Sequence, residues 1–184
     1  MGLLSEGISE VIATTTLNAA PIGIHCRSGK ASMMLFTGSH TSENIARDGW
    51  VVANFVHDPV LYVRTAFEDL PRNEFTDEHV AGMTVHRLAC ADTWAAFTAT
   101  IRGETREVMV VDLTLEKEVT GAVRFYPVNR GFNSIIDAAV HGTRYALTRD
   151  PDLRELIEYH AGIVRKCGGK REREALELLM GYIG

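Results

Sequence analysis

Apolar and polar positions alternate with a period near two through most of the first 125 residues. Beyond Pro127 the apolar residues recur about every 3.6 positions, so periodicity alone divides the chain into a strand-rich body and a helical tail. Residues 8–17 are rich in β-branched side chains, and Asn18 supplies a turn. Residues 20–26 then resume an extended run with Pro21 near its start, where a missing N–H is tolerated, and the pair predicts a hairpin. Arg27-Ser-Gly-Lys30 is a second turn leading into a third strand over 31–37.

Residues 38–49 carry the marks of a short helix, with Ser39 or Thr41 as N-cap, Glu43 in the first turn and Gly49 just past the end. Residues 50–56 and 60–67 read as strands parted by a turn at His57-Asp58-Pro59, and 68–82 as a polar loop with some helix. Four further strands are expected over 84–90, 94–102, 106–115 and 119–126. In the tail, three amphipathic faces follow: Phe132, Ile135, Ile136, Ala139 and Val140; then Leu153, Leu156, Ile157, His160 and Val164; then Ala175, Leu176, Leu179 and Ile183. Asp150-Pro151 opens the second helix as N-cap and first helical residue, and Gly168-Gly169 closes it. The expected class is α+β: a mostly antiparallel β-barrel over 1–126 and a three-helix C-terminal subdomain over 127–184.

Composition narrows function more than fold. With 46% apolar and 23% charged residues in 184, the chain is ordinary globular protein rather than disordered. No segment offers the ~20 apolar residues of a membrane-crossing helix. Its start, Met-Gly-Leu-Leu-Ser-Glu, lacks the basic and apolar regions of a secretory signal, so a cytoplasmic protein without a membrane partner is expected. Three scattered cysteines and seven histidines without ligand spacing point away from a disulfide scaffold or metal catalysis. A net charge of −5 removes the broad basic footprint of a nucleic-acid binder. The acid sits in the body: residues 1–125 hold 10 Lys and Arg against 16 Asp and Glu, and the rest hold 9 against 8.

The candidate chemistry centres on residues 31–54. Gly38, Ser39, Thr41, Ser42 and Asn44 combine hydroxyls with a helix N-terminus, whose unpaired N–H groups and positive dipole end suit a phosphate. The same residues also read as an ordinary helix cap, and neither a Walker motif nor Gly-x-Gly-x-x-Gly is present. Asn54, after an apolar run, needs amide partners from a ligand or from neighbouring backbone. Asn129, Arg130 and Arg144 flank the first tail helix as second-rank anion contacts. Residues 165–173 carry five bases and one acid, read as a solvated helix corner. Cys26 reads as a buried thiol, whereas Trp94 and Phe97 suit either a core or a subunit interface.

A resemblance gives these features a common meaning. Ala20-Pro-Ile-Gly-Ile, then Gly38-Ser-His-Thr-Ser-Glu-Asn-Ile-Ala-Arg-Asp-Gly, then Val52-Ala-Asn-Phe-Val-His-Asp-Pro resemble the flavin-reductase-type split barrel, which binds flavin mononucleotide (FMN). Glu6-Gly-Ile-Ser-Glu-Val-Ile-Ala-Thr-Thr and the stretch from Asn129-Arg-Gly-Phe to Gly-Thr-Arg144 are similar to an uncharacterised FMN-binding group known as domain of unknown function 447. The resemblance implies main-chain contacts from Ala20, Pro21, Ile22 and Gly23 to the flavin ring, and Ser39, Thr41 and Asn44 at the phosphate. It implies a homodimer and, for an enzyme, electron or hydride transfer with a transiently bound NAD(P)H. A non-catalytic flavin or pterin carrier linked to one-carbon metabolism is the rival reading.

Overall fold

The computed structural model describes residues 2–122 and 125–184. Two compact units share the chain: Met1–Val56 with Leu70–Val123, and His57–Asp69 with Arg124–Gly184.

The first unit is a six-stranded antiparallel barrel in the order β1-β2-β3-β8-β7-β4, closed by pairing of β4 with β1. Strands β1 (Gly7–Thr15) and β2 (Asn18–Arg27) pair in full, leaving the two-residue turn Thr16-Leu17. Strand β3 (Lys30–Phe36) returns through Ser28-Gly29, both at positive φ, the conformation that matches hairpin twist. A first helix, α1 (His40–Asp48), leads into β4 (Trp50–Asn54). All five residues of β4 are buried, because both its faces are covered. Val51 and Ala53 point into the barrel with Ile24, Met33, Phe97 and Val111. Trp50 and Val52 face outward against Val80 and Val85 of a two-stranded ribbon, β5 (Phe75–Val80) and β6 (Met83–Leu88). Strands β7 (Trp94–Glu104) and β8 (Val108–Val119) complete the barrel.

The second unit packs α2 (Pro59–Phe67) with α3 (Arg130–Thr148), α4 (Pro151–Cys167) and α5 (Lys170–Ile183). Their shared core includes Val63, Ile135, Ile157, Val164, Leu176 and Leu179. At one end, Phe67 stacks on Tyr182 at 4.8 Å, and the Tyr182 hydroxyl donates to the Glu68 carboxylate. Burial, with help from that carboxylate, pushes the Tyr182 phenol up to about 12. At the other end, Arg171 donates two bonds of 2.8 Å to Asp58.

Several expectations need correction. Residues 60–67 form helix α2, not a strand: the Asp58 carboxylate accepts from the N–H groups of Val60 and Leu61, and Pro59 occupies the first turn. The β-branched run there buries Leu61, Tyr62, Val63 and Thr65 on helical spacing, so packing overrides strand propensity. The expected loop over 68–82 contains a short 3-10 turn at Arg72–Glu74 and all of β5. Residues 106–115 belong to one long strand, β8, that runs on to Val119. Of the strand expected over 119–126, residues 123 and 124 lie outside the described residues, and 120–122, 125 and 126 are not in a strand.

Backbone proximity fixes one helix contact tightly. A Cβ built on Gly131 would lie 2.5 Å from Gly168 Cα and 2.7 Å from Gly168 N, neither of which can rotate away. A glycine-to-alanine change inside a helix ordinarily gains up to about 1 kcal/mol. Gly131→Ala is expected instead to lose about 1–3 kcal/mol through overpacking. Gly162→Ala in α4, where a Cβ meets nothing within 4 Å, is expected to gain stability. Urea unfolding of both variants checks this reversal of sign.

Candidate cofactor site

The barrel is open along part of β2. Pairing with β3 covers only Ile24–Arg27, so 18–23 has β1 on one side and, among the described residues, no strand on the other. In a two-residue hairpin the closing pair is hydrogen-bonded, which directs the main-chain groups of Ala20 and Ile22 to β1 and those of Pro21 and Gly23 away from it. Pro21 therefore sits where its missing N–H breaks no ladder bond. The space above Gly23 that a Cβ would fill is bordered by Ile8 Cγ2 at 2.8 Å and Glu10 Oε1 at 3.1 Å. Glycine here makes room for the neighbouring strand's side chains as well as leaving the backbone accessible.

Helix α1 seats against this hairpin. Ser39 is the N-cap, with its Oγ accepting from Ser42 N at 3.3 Å and Ser42 Oγ donating back to Ser39 O at 2.8 Å. Gly49 ends the helix at φ 70°. Ile45, 1% exposed, enters the barrel core. Thr41 Oγ1 accepts from Asn18 Nδ2 at 2.9 Å, while Asn44 Nδ2 donates to Thr15 Oγ1 at 2.9 Å and to Thr16 O at 3.2 Å. Asn44 Oδ1 accepts from Arg47. The side chains of Thr41 and Asn44 thus hold helix to hairpin. At the N-terminus of α1 stand the half-buried Ser39 hydroxyl, whose oxygen already accepts from Ser42 N, and the dipole's positive end, with Glu43 contributing one negative charge nearby.

Asn54 is fully buried, and its amide is satisfied by protein. Its Nδ2 donates to Ile12 O at 2.9 Å and Thr14 Oγ1 at 3.0 Å, and its Oδ1 accepts from Leu88 N at 2.8 Å. These partners are the backbone of Ile12 and Leu88 and the hydroxyl of Thr14. The remaining sequence candidates belong to the helical unit. Asn129 caps α3 by accepting from Gly131 N at 2.8 Å and donates to Glu172 at 3.3 Å. Arg130 and Arg144 are exposed and make no ion pair among the described residues. His57 lies between the rings of Tyr126 and Phe132, at 4.0 and 4.1 Å, and burial lowers its pKa. In the barrel, Cys26, Trp94 and Phe97 are all core residues, 4%, 3% and 1% exposed. Among the described residues, no group of three or more His, Cys, Asp or Glu side chains is placed to hold a metal ion.

Sequence reasoning missed Asn18, Asp48 and His86. Thr16 Oγ1 donates to Asp48 Oδ2 at 2.6 Å, and Leu17 N donates to His86 Nδ1 at 3.2 Å. A positive φ of 52° at Leu17 marks the turn they hold, a strain that no residue pattern announces.

A closed six-stranded antiparallel barrel whose β2–β3 pairing stops at Ile24, with a helix packed at the gap, defines a split-barrel protein. The chain belongs to the family described as protein of unknown function (DUF447): its N-terminal domain model matches residues 9–122, and a second model matches 129–181. The crystal structure of an FMN-bound protein of this family from Methanosarcina mazei is 37% identical, with a TM-score of 0.90 over 97% of this chain and 96% of that one. An uncharacterised protein of Methanocaldococcus jannaschii is 24% identical over 94% of this chain and 96% of its own. A putative flavin reductase with a split-barrel domain from Shewanella frigidimarina is 13% identical, with a TM-score of 0.45 over 58% of this chain and 65% of that one.

Asn54→Ala is expected to strand the Leu88 N–H in the interior and to take one of two donors from the Ile12 carbonyl, which the ladder still pairs with the backbone N–H of residue 54. At about 1–3 kcal/mol for a buried group left unpaired and about 1 kcal/mol for a bond lost, the variant should lose roughly 2–4 kcal/mol, seen as a lower urea midpoint with an unchanged slope.

Proposed function

We propose that this protein is an FMN-binding flavoprotein of the flavin-reductase class, acting in electron or hydride transfer with NAD(P)H as a transient donor. The single observation that carries the cofactor is the 37% identity, across nearly the whole chain, to a relative whose crystal structure is described as FMN-bound. The local geometry fits the same ligand. An isoalloxazine edge carries imide N–H and carbonyl groups, and the free main-chain groups of Pro21 and Gly23 can meet them along the open side of β2. Ala20 and Ile22 set the strand's position through β1. The ribityl phosphate goes to the first turn of α1, where Ser39 and the backbone N–H groups receive it. Thr41 and Asn44 hold that turn in place. When bound, FMN supplies the redox chemistry, and the protein supplies placement and polarity.

Two copies of the chain complete the assembly in this reading. Met34 and Phe36 on β3 and Ile8 on β1, 58%, 64% and 60% exposed, place apolar surface on the outside of the barrel next to the open strand. That is surface a second barrel would cover.

Titration with FMN and with riboflavin tests the cofactor. FMN should restore flavin absorbance to the bound protein and bind at least about tenfold more tightly than riboflavin, because the helix terminus recognises the phosphate. Protein that binds neither flavin overturns the reading. Equal affinities move the phosphate away from α1. Anaerobic addition of NADH or NADPH to the loaded protein should then bleach the flavin at catalytic rates, and failure to bleach overturns the reductase half in favour of a carrier. Sedimentation of the same sample is expected at twice 20.3 kDa.

A further inference from the structure

The turn Thr16-Leu17 is tied down by more side chains than a two-residue hairpin requires. Asn44 Nδ2 donates to Thr15 Oγ1 and Thr16 O, Thr16 Oγ1 donates to Asp48, and the Leu17 N–H donates to His86 Nδ1. Three of these links come from or point to α1, the helix whose first turn faces the phosphate in the reading above. The fourth comes from β6, across the outside of the barrel.

His86 is fixed from several directions. Its ring stands edge-on to Trp50, with centroids 5.7 Å apart at 78°. Its backbone carbonyl accepts from Thr14 Oγ1 at 2.6 Å, which ties β6 to β1 just before the turn. Because a backbone N–H can only donate, Nδ1 must carry a lone pair, and the imidazole proton sits on Nε2, 3.6 Å from Asp77 Oδ1. Protonated His86 has N–H at both ring nitrogens. The Leu17 and Nδ1 groups then confront one another as two donors, and a turn held at φ 52° loses its one side-chain link to β6 while the three to α1 remain.

We propose that His86 is a positioning residue of the cofactor site, which in its neutral form holds the β1–β2 turn, and through it the α1 seat, and which releases the turn when protonated. The proposal rests on the FMN reading for its consequence and on the turn alone for its mechanism. The charged groups that face the ring are Asp77 from β5, Arg72 from the 3-10 turn and Asp48 from α1. Burial is the largest influence and lowers the pKa; Asp77 and Asp48 raise it, Arg72 lowers it, and the balance is below the usual 6.5. A histidine depressed in the folded state stabilises fully above about pH 6.5, and that contribution is lost as pH falls through the folded value. The site therefore weakens on the acid side of neutrality.

The first measurement needs no flavin. In the cofactor-free protein, the Leu17 amide resonance should titrate with a midpoint below 6.5, and its hydrogen exchange should speed up at pH 5.5 relative to the base-catalysed rate. In His86→Gln, whose amide oxygen still accepts but does not titrate, the same resonance should stay flat. A flat Leu17 in the wild type, or an equal titration in the variant, overturns the proposal. The second measurement compares FMN affinity at pH 7.5 and 5.5. The FMN phosphate itself titrates in this range, so the reading is the wild-type loss beyond the His86→Gln loss, expected at about fivefold, the worth of one hydrogen bond. Equal losses with a titrating Leu17 overturn the coupling to the site. No FMN binding at either pH sinks the cofactor reading instead, and Leu17 still reports on the turn. Thermal unfolding at pH 7.5 verifies that His86→Gln is folded.

Discussion

The barrel depends on a short seam. Strands β1 and β4 share three residue pairs, Ile12 with Asn54, Ala13 with Ala53 and Thr14 with Val52, and without them the six strands are an open sheet with two long edges. The Asn54 side chain lengthens that seam beyond the ladder by bonding Ile12 and Thr14 on one side and the Leu88 backbone on the other. One amide thereby joins β1, β4 and β6 where the sheet closes on itself. Being fully desolvated, it strengthens the closure only as long as every one of its groups is paired.

A second constraint follows from where the sheet fails to close. The β2–β3 contact stops at Ile24, and the end of the barrel it leaves open is filled by α1 through Ile45, Thr41 and Asn44. The helix therefore has two faces with separate duties. Its inward face is a plug, satisfied by hydroxyls and amides of the hairpin, and its N-terminus is left to whatever approaches from outside. A helix anchored in this way adds positive potential at a fixed point beside an exposed run of strand backbone.

Much of this was legible from residue patterns. The first three strands, the Ser39 cap, Gly49 at the end of α1 and all three tail helices stand where periodicity and capping rules put them. The failure at α2 is instructive because the same dipeptide succeeded elsewhere. Asp150-Pro151 reads as a helix start because an amphipathic pattern follows it, whereas Asp58-Pro59 precedes a β-branched run and reads as a turn. The cap chemistry is the same at both, with the aspartate accepting from the second residue of its helix. Only the packing of Val63 among Ile135, Val164 and Leu179 decides the second case. In the candidate site, hydroxyl-rich composition drew attention to Thr41 and Asn44, yet composition does not say whether a polar group points at a ligand or at Asn18 and Thr15. His86 was out of reach for a simpler reason: it lies 69 residues from Leu17, and only the folded ribbon brings them together.

The position of α2 in the chain has consequences for how the molecule can be cut. It lies between β4 and β5 in sequence, but its apolar face is buried among helices that begin at Arg130. The two compact units are interleaved along the chain rather than laid end to end, so no single cleavage point separates them. A ribosome finishing the last barrel strand has already released a nine-residue apolar helix whose partners are not yet made. Until α3, α4 and α5 have all emerged, the core that takes Val63 and Phe67 is incomplete. A fragment ending near residue 126 would carry the same exposed helix permanently and would report on that defect as much as on the barrel.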